Sequence, residues 1–172
     1  SSTSGAIYGI RVLTGVFPVN IQNNMVRLGI DAAGADITTG YAIYGIGNAS
    51  TGTTNHYFNT LYIGGSGVTG TTSNTIAMLA SGALNTRAFQ NNILVNTRDG
   101  GATGNHYSFQ IGGTGVNPAG LTMNYNLYQT TGSNGFIGSY NAANLTDLTA
   151  VQTSVGQNAN SYVCDPQLFN PN

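Results

Sequence analysis

Short phrases return along this chain, and self-similarity confines a sequence to architectures whose successive units sit in equivalent surroundings. The phrase Ala6-Ile7-Tyr8-Gly9-Ile10 returns letter for letter as Ala42-Ile43-Tyr44-Gly45-Ile46. Ile21-Gln22-Asn23-Asn24-Met25 is echoed by Phe89-Gln90-Asn91-Asn92-Ile93, and Asn55-His56-Tyr57 by Asn105-His106-Tyr107. Ile63-Gly64-Gly65-Ser66-Gly67-Val68 has its copy in Ile111-Gly112-Gly113-Thr114-Gly115-Val116. The offsets between copies differ, which excludes a strict short period and predicts coils of roughly 20–30 residues with loops of variable length.

Within the phrases the period is two, which argues for strands. Phe89, Asn91, Ile93 and Val95 alternate with Gln90, Asn92, Leu94 and Asn96. Further short strands are expected in 19–28, 41–46, 57–63, 75–79, 107–111, 122–128 and 135–140, each bounded by Gly, Asn, Thr or Asp. A β-sandwich would accept such strands without asking them to look alike. Stacked coils require likeness, because each position lies over its counterpart one coil below. The expected fold is therefore all-β, a right-handed parallel β-solenoid.

The paired asparagines specify a corner. Taking Met25, Leu61, Ile93 and Leu127 as the next inward apolar residues places Asn23-Asn24, Asn59-Thr60, Asn91-Asn92 and Tyr125-Asn126 at one bend. A tight corner needs a residue that tolerates left-handed backbone, and Asn is the best choice after Gly. Stacked amides of Asn23, Asn24, Asn59, Asn91, Asn92 and Asn126 would then bond along the axis. The same alignment turns Val26, Tyr62, Leu94 and Tyr128 outward as a stripe. Such a stripe suits stacking on sugar rings, or packing beneath a long loop or a neighbouring subunit.

Composition narrows the surroundings. Charged residues are only 5% of the 172 positions, Lys and Glu do not occur, and 40% of the chain is hydrophobic. That supports a core and leaves Asn, Thr, Ser and Gly to supply solubility. One domain spanning 1–172 is the expectation for this length. A net charge of −1 without a basic cluster offers nothing to nucleic acid or an anionic membrane surface, and no apolar run reaches membrane-spanning length. The opening Ser1-Ser2-Thr3-Ser4-Gly5 reads as part of a processed or excised piece.

The apolar-x-Asn-Asn-apolar coils, Met123-Asn124-Tyr125-Asn126-Leu127-Tyr128 and the closing segment from Asn160 through Tyr162, Cys164 and Asp165 to Phe169 resemble right-handed parallel β-helix domains of bacterial secreted and cell-surface proteins. That broad group holds pectate lyases and polygalacturonases together with non-catalytic adhesins. The resemblance implies fold and an extracellular address, not activity. Between Asn144 and Gln152 the spacing of Leu145, Leu148 and Val151 changes to threes, and Thr146-Asp147 makes a helix start, predicting a short cap over the last coils.

Chemistry is sparse. Asp147 and Asp165 read as helix-start and turn residues, and the spacing of Asp31, Asp36 and Asp99 requires no acid–base pair. His56 and His106 occupy matching phrases without a carboxylate or Cys beside them, so no metal site and no cofactor is expected, and no catalytic residue. Cys164 has no intrachain partner for a disulfide. Threonine-rich Thr51-Gly52-Thr53-Thr54 and Thr69-Gly70-Thr71-Thr72 adjoin turn glycines instead of forming an ice-binding array. Asn48 and Asn144 head glycosylation sequons. The function expected is an extracellular structural element, adhesin or filament subunit, partnered by its own kind end to end or laterally, or by further coils of a parent chain. The alternative is a module that binds or degrades a surface polysaccharide.

Overall fold

The computed structural model describes residues 5–70 and 73–168; Ser1–Ser4, Thr71-Thr72 and Phe169–Asn172 lie outside the described residues. Three short strands make each coil. The first coil holds β1 (Ala6–Val12), β2 (Val19–Gln22) and β3 (Met25–Leu28), and the second β4 (Ala42–Asn48), β5 (Thr54–Tyr57) and β6 (Thr60–Ile63). The third holds β7 (Thr75–Ala80), β8 (Arg87–Gln90) and β9 (Ile93–Asn96), and the fourth β10 (His106–Ile111), β11 (Leu121–Asn124) and β12 (Leu127–Thr130). A fifth, partial coil contains β13 (Gly135–Tyr140), β14 (Ala143–Leu145), the helix α1 (Leu148–Val155) and β15 (Tyr162–Val163).

Equivalent strands stack into three sheets: β1-β4-β7-β10-β13-β14, β2-β5-β8-β11 and β3-β6-β9-β12-β15. Every named pairing is parallel except β13 with β14, so the fold is a parallel β-solenoid and not a sandwich. Ala6 pairs with Ala42, Ile43 with Thr75, Thr75 with His106 and His106 with Gly135, giving coils of 36, 32, 31 and 29 residues. The first three are longer than the roughly 20–30 residues expected because the loops between sheets take up chain that carries no repeat.

The interior is one apolar column. Ile43, Ile46, Leu61, Ile63, Met78, Phe89, Leu94, Phe109 and Tyr128 are all fully buried, and the Phe109 and Tyr128 rings pack at 5.3 Å. Each such side chain contributes roughly 1.5–3 kcal/mol over leaving it in water. The helix forms where the triplet spacing predicted it. Asp147 caps it, its Oδ1 accepting from the Ala150 N–H at 2.8 Å, and Gly156 ends it in left-handed backbone (φ 76°). Val151 and Val155 of α1 are buried with Leu145 against the last coils. The opposite end has no such cover among the described residues: Ile7, Ile10, Val12, Val26 and Leu28 are only partly buried, and β1, β2 and β3 each have a free edge.

Two repeated phrases are not structurally equivalent. Ala6–Ile10 does lie in register on Ala42–Ile46. His56, however, sits on β5 and His106 on β10, in different sheets, and Ile63 closes β6 whereas Ile111 closes β10. Gly-Gly after a strand marks where that strand must end, whichever sheet holds it.

Candidate functional site

The corner between the second and third sheets is the most ordered polar feature of the molecule. It consists of two residues with separate tasks. The first takes left-handed backbone: Asn23 (φ 58°), Phe58 (54°), Asn91 (57°) and Tyr125 (57°). The second, Asn24, Asn59, Asn92 or Asn126, turns its amide toward the interior. Asn59 Oδ1 accepts from the Asn24 N–H and Nδ2 at 3.2 and 2.9 Å, and Asn92 Oδ1 from the Asn59 N–H and Nδ2, both at 3.0 Å. Asn126 Oδ1 accepts the same pair from Asn92, again at 3.0 Å. The remaining Nδ2 hydrogens go to carbonyls: Asn59 to Ile21, Asn92 to His56 and Asn126 to Phe89, at 2.8–2.9 Å. Ser161 Oγ ends the ladder by accepting the Asn126 N–H. Buried amides are thus matched donor for acceptor, which is what makes them tolerable inside a core.

Four of the six expected corner asparagines, Asn24, Asn59, Asn92 and Asn126, form this ladder, while Asn23 and Asn91 are exposed at the left-handed position. In the second coil the pair is Phe58-Asn59 and not Asn59-Thr60, since Thr60 pairs with Met25 and Ile93. The outward stripe is overturned in consequence. Val26, Leu61, Leu94 and Tyr128 share one register row, and Leu94 and Tyr128 are fully buried. Tyr62 does point outward, in a row with Arg27, Val95 and Gln129, but it is covered with Ile30 and Val95 in a cluster that Leu168 overlies. The left-handed residue shifts the alternation by one position, so a period of two carried straight through the corner exchanges the two faces.

What the sequence reading missed lies on the outside of this corner. Met25, Phe58, Tyr125 and Tyr162 are 82, 59, 54 and 68% exposed, with Ile93 and Leu127 half-buried between them. The available signal was an aromatic residue standing where two other coils place Asn.

The remaining candidates have structural employment. Asn48 is buried, its Nδ2 3.0 Å from His56 Nε2 and its Oδ1 accepting the Ser50 N–H, so the nitrogen a glycan would need is enclosed. Asn144 is exposed, and its Oδ1 accepts from the Tyr107 hydroxyl. All five aspartates accept backbone N–H groups: Asp31 from Ala33 and Ala35, Asp36 from Ser66, Asp99 from Gly100 and Ser133, Asp147 from Ala150, and Asp165 from Gln167. The Ser66 bonds hold Asp36 below the usual carboxylate range, and the Ser133 bonds do the same for Asp99. Buried Arg98 donates to the Gly64, Ile37 and Thr39 carbonyls, and buried Arg87 to those of Asn85 and Gly112, so both cations tie loops to coils. Among the described residues no three His, Cys, Asp or Glu side chains gather as metal ligands.

His56 is the more deeply enclosed of two buried histidines; burial also lowers the pKa of His106. Asn48 Oδ1 is taken by the Ser50 N–H, so Asn48 Nδ2 is the donor facing His56 Nε2 and the imidazole proton resides on Nδ1, which has no partner. Burial lowers its pKa from 6.5 to about 4. A base whose folded pKa lies below its unfolded one binds fewer protons folded than unfolded between those values. Stability is then complete above about pH 6.5 and declines as pH falls toward about 4. The expected loss across that window is roughly 3 kcal/mol. Urea unfolding at several pH values checks it; in His56→Gln the decline through this window should shrink to the part that buried His106 contributes.

Comparison with known proteins finds no matching family model, no matching curated protein and no matching solved structure.

Proposed function

We propose that this chain is an extracellular structural solenoid, of the right-handed parallel β-helix kind found in bacterial secreted and surface proteins, and that it serves as a scaffold segment in a longer stack. The observation that carries the reading is the state of its two ends. At one end, β14 and α1 cover the column. At the other, the column stops on partly buried Ile7, Ile10, Val26 and Leu28. The ladder ends there too: Asn24 Oδ1, the counterpart of acceptors that each take two hydrogen bonds in later coils, receives neither from the described residues.

The partner that matches this face is another parallel coil carrying a ladder Asn, because it would extend three sheets and the amide column at once. Two open faces meeting head to head would oppose acceptor to acceptor. A low-charge surface and carboxylates that each hold a backbone N–H of a turn, loop or helix start support scaffolding over catalysis.

A graft tests the proposal. His106 pairs with Thr75, so a copy of residues 75–105 placed directly before Ile7 supplies a coil that ends where β1 begins. The expected result is a single unfolding transition at higher temperature than the parent chain, since the graft buries the open face. A separate second transition, or an unchanged midpoint, would show that the face is not built to receive a coil.

A further inference from the structure

We propose that the outer ridge of the asparagine corner binds an extended, neutral β-1,4-linked glycan, with Phe58 and Tyr125 stacking on alternate sugars. This goes beyond the scaffold reading and does not depend on what covers the open end.

The argument begins with a conflict at two positions. Phe58 and Tyr125 hold φ of 54° and 57°, backbone that bulky side chains seldom adopt, and they remain 59 and 54% exposed. Neither conformation nor burial accounts for an aromatic residue there, and Asn23 and Asn91 fill the same position in the first and third coils with the residue type that suits it. Strain held without a packing return points to use by a ligand.

The order along the ridge indicates which ligand. It reads Asn23, Phe58, Asn91, Tyr125, so flat faces and amides alternate coil by coil. Coils are spaced by the strand separation of about 4.8 Å, which sets the two aromatic residues roughly 9–10 Å apart. That is the length of the two-sugar repeat of an extended β-1,4-linked chain. Sugar rings have an apolar C–H face for stacking and equatorial hydroxyls for the intervening amides. Ile93, Leu127 and Tyr162 continue the contact beside Tyr125, in a shallow groove that Asn91 and Asn160 also line. None of these residues is charged, which matches a neutral ligand and gives an anionic one no counter-ion. The ridge is also too slender for a second copy of the chain. Four coils make it about 15 Å long and one or two side chains wide, whereas a stable protein interface covers roughly 800 Å² on each partner.

The test is affinity electrophoresis of the intact chain through gels containing a soluble neutral β-1,4-glucan, an α-1,4-glucan, or no polysaccharide, with sedimentation velocity alongside. Retardation by the β-1,4-glucan alone is expected. The double variant Phe58→Asn/Tyr125→Asn, which installs the residue used by the other two coils, is expected to bind at least tenfold more weakly and to melt at the same or a higher temperature. Phe58→Leu/Tyr125→Leu keeps apolar bulk without a flat face and is expected to lose binding similarly. No retardation, equal retardation by the α-1,4-glucan, or full binding by either double variant would overturn the proposal. So would a wild-type dimer that the substitutions abolish, since that would make the ridge a contact between copies.

Discussion

Replacing Asn92 by alanine is expected to cost about 3–5 kcal/mol, a large loss for a single polar side chain. The residue stands in the middle of the ladder, and its side chain makes four hydrogen bonds to three neighbours. Its Oδ1 accepts the Asn59 N–H and Nδ2, and its Nδ2 donates to Asn126 Oδ1 and to the His56 carbonyl. Asn59 and Asn126 are themselves buried, so truncation strands the Asn59 backbone N–H and one amide hydrogen away from water. A buried group deprived of its partner costs about 1–3 kcal/mol, and the lost bonds are not replaced. Asn24→Ala is expected to cost far less, about 1 kcal/mol, because its side chain is half-buried and supports nothing beneath it among the described residues. Asn91→Gly is expected to be within about 0.5 kcal/mol of neutral, since glycine accepts the left-handed backbone freely. Urea unfolding of the three variants gives the order directly. Equal losses at Asn92 and Asn24 would mean that the amides do not act as a column.

How much of this was legible beforehand depended on whether neighbours in sequence share one cause. The strand segments, the parallel stack and the helix start at Asp147 were readable because each rests on local chemistry repeated at intervals: alternation, left-handed tolerance, a capping carboxylate. The ladder was readable as a bend with stacked amides. Its division of labour was not, because Asn serves equally as the left-handed residue and as the inward amide, and Asn23-Asn24 and Asn91-Asn92 present both at once. Phe58-Asn59 and Tyr125-Asn126 separate the two tasks, and the second coil was misaligned by one residue through trusting Leu61 as the counterpart of Met25. Burial of Asn48, and the covering of Tyr62 by the chain around Leu168, depend on segments far apart in sequence. Nothing near those residues announces either outcome.

That misalignment has a consequence large enough to measure in one pair of adjacent residues. Leu94→Ala is expected to destabilise the protein by about 3–4 kcal/mol, and Ile93→Ala by about 1 kcal/mol. Both belong to β9 and are apolar, and simple alternation from Phe89 assigns Ile93 to the interior and Leu94 to the surface. The left-handed Asn91 adds a residue that belongs to neither face, so Asn92 and Leu94 turn inward with Phe89 while Ile93 turns out. Leu94 is fully buried in register with Leu61 below and Tyr128 above, both also fully buried. Truncating it opens a void that its stacked neighbours cannot close without leaving the registers that hold three sheets together. Ile93 lies half-buried at the outer surface between Thr60 and Leu127, where removal leaves water to fill the space. Thermal or urea unfolding of the two variants decides the phase of the strand. The reverse order, with Ile93 the costly position, would return Leu94 and Tyr128 to the surface and remove the basis for placing Phe58 and Tyr125 on an outward ridge.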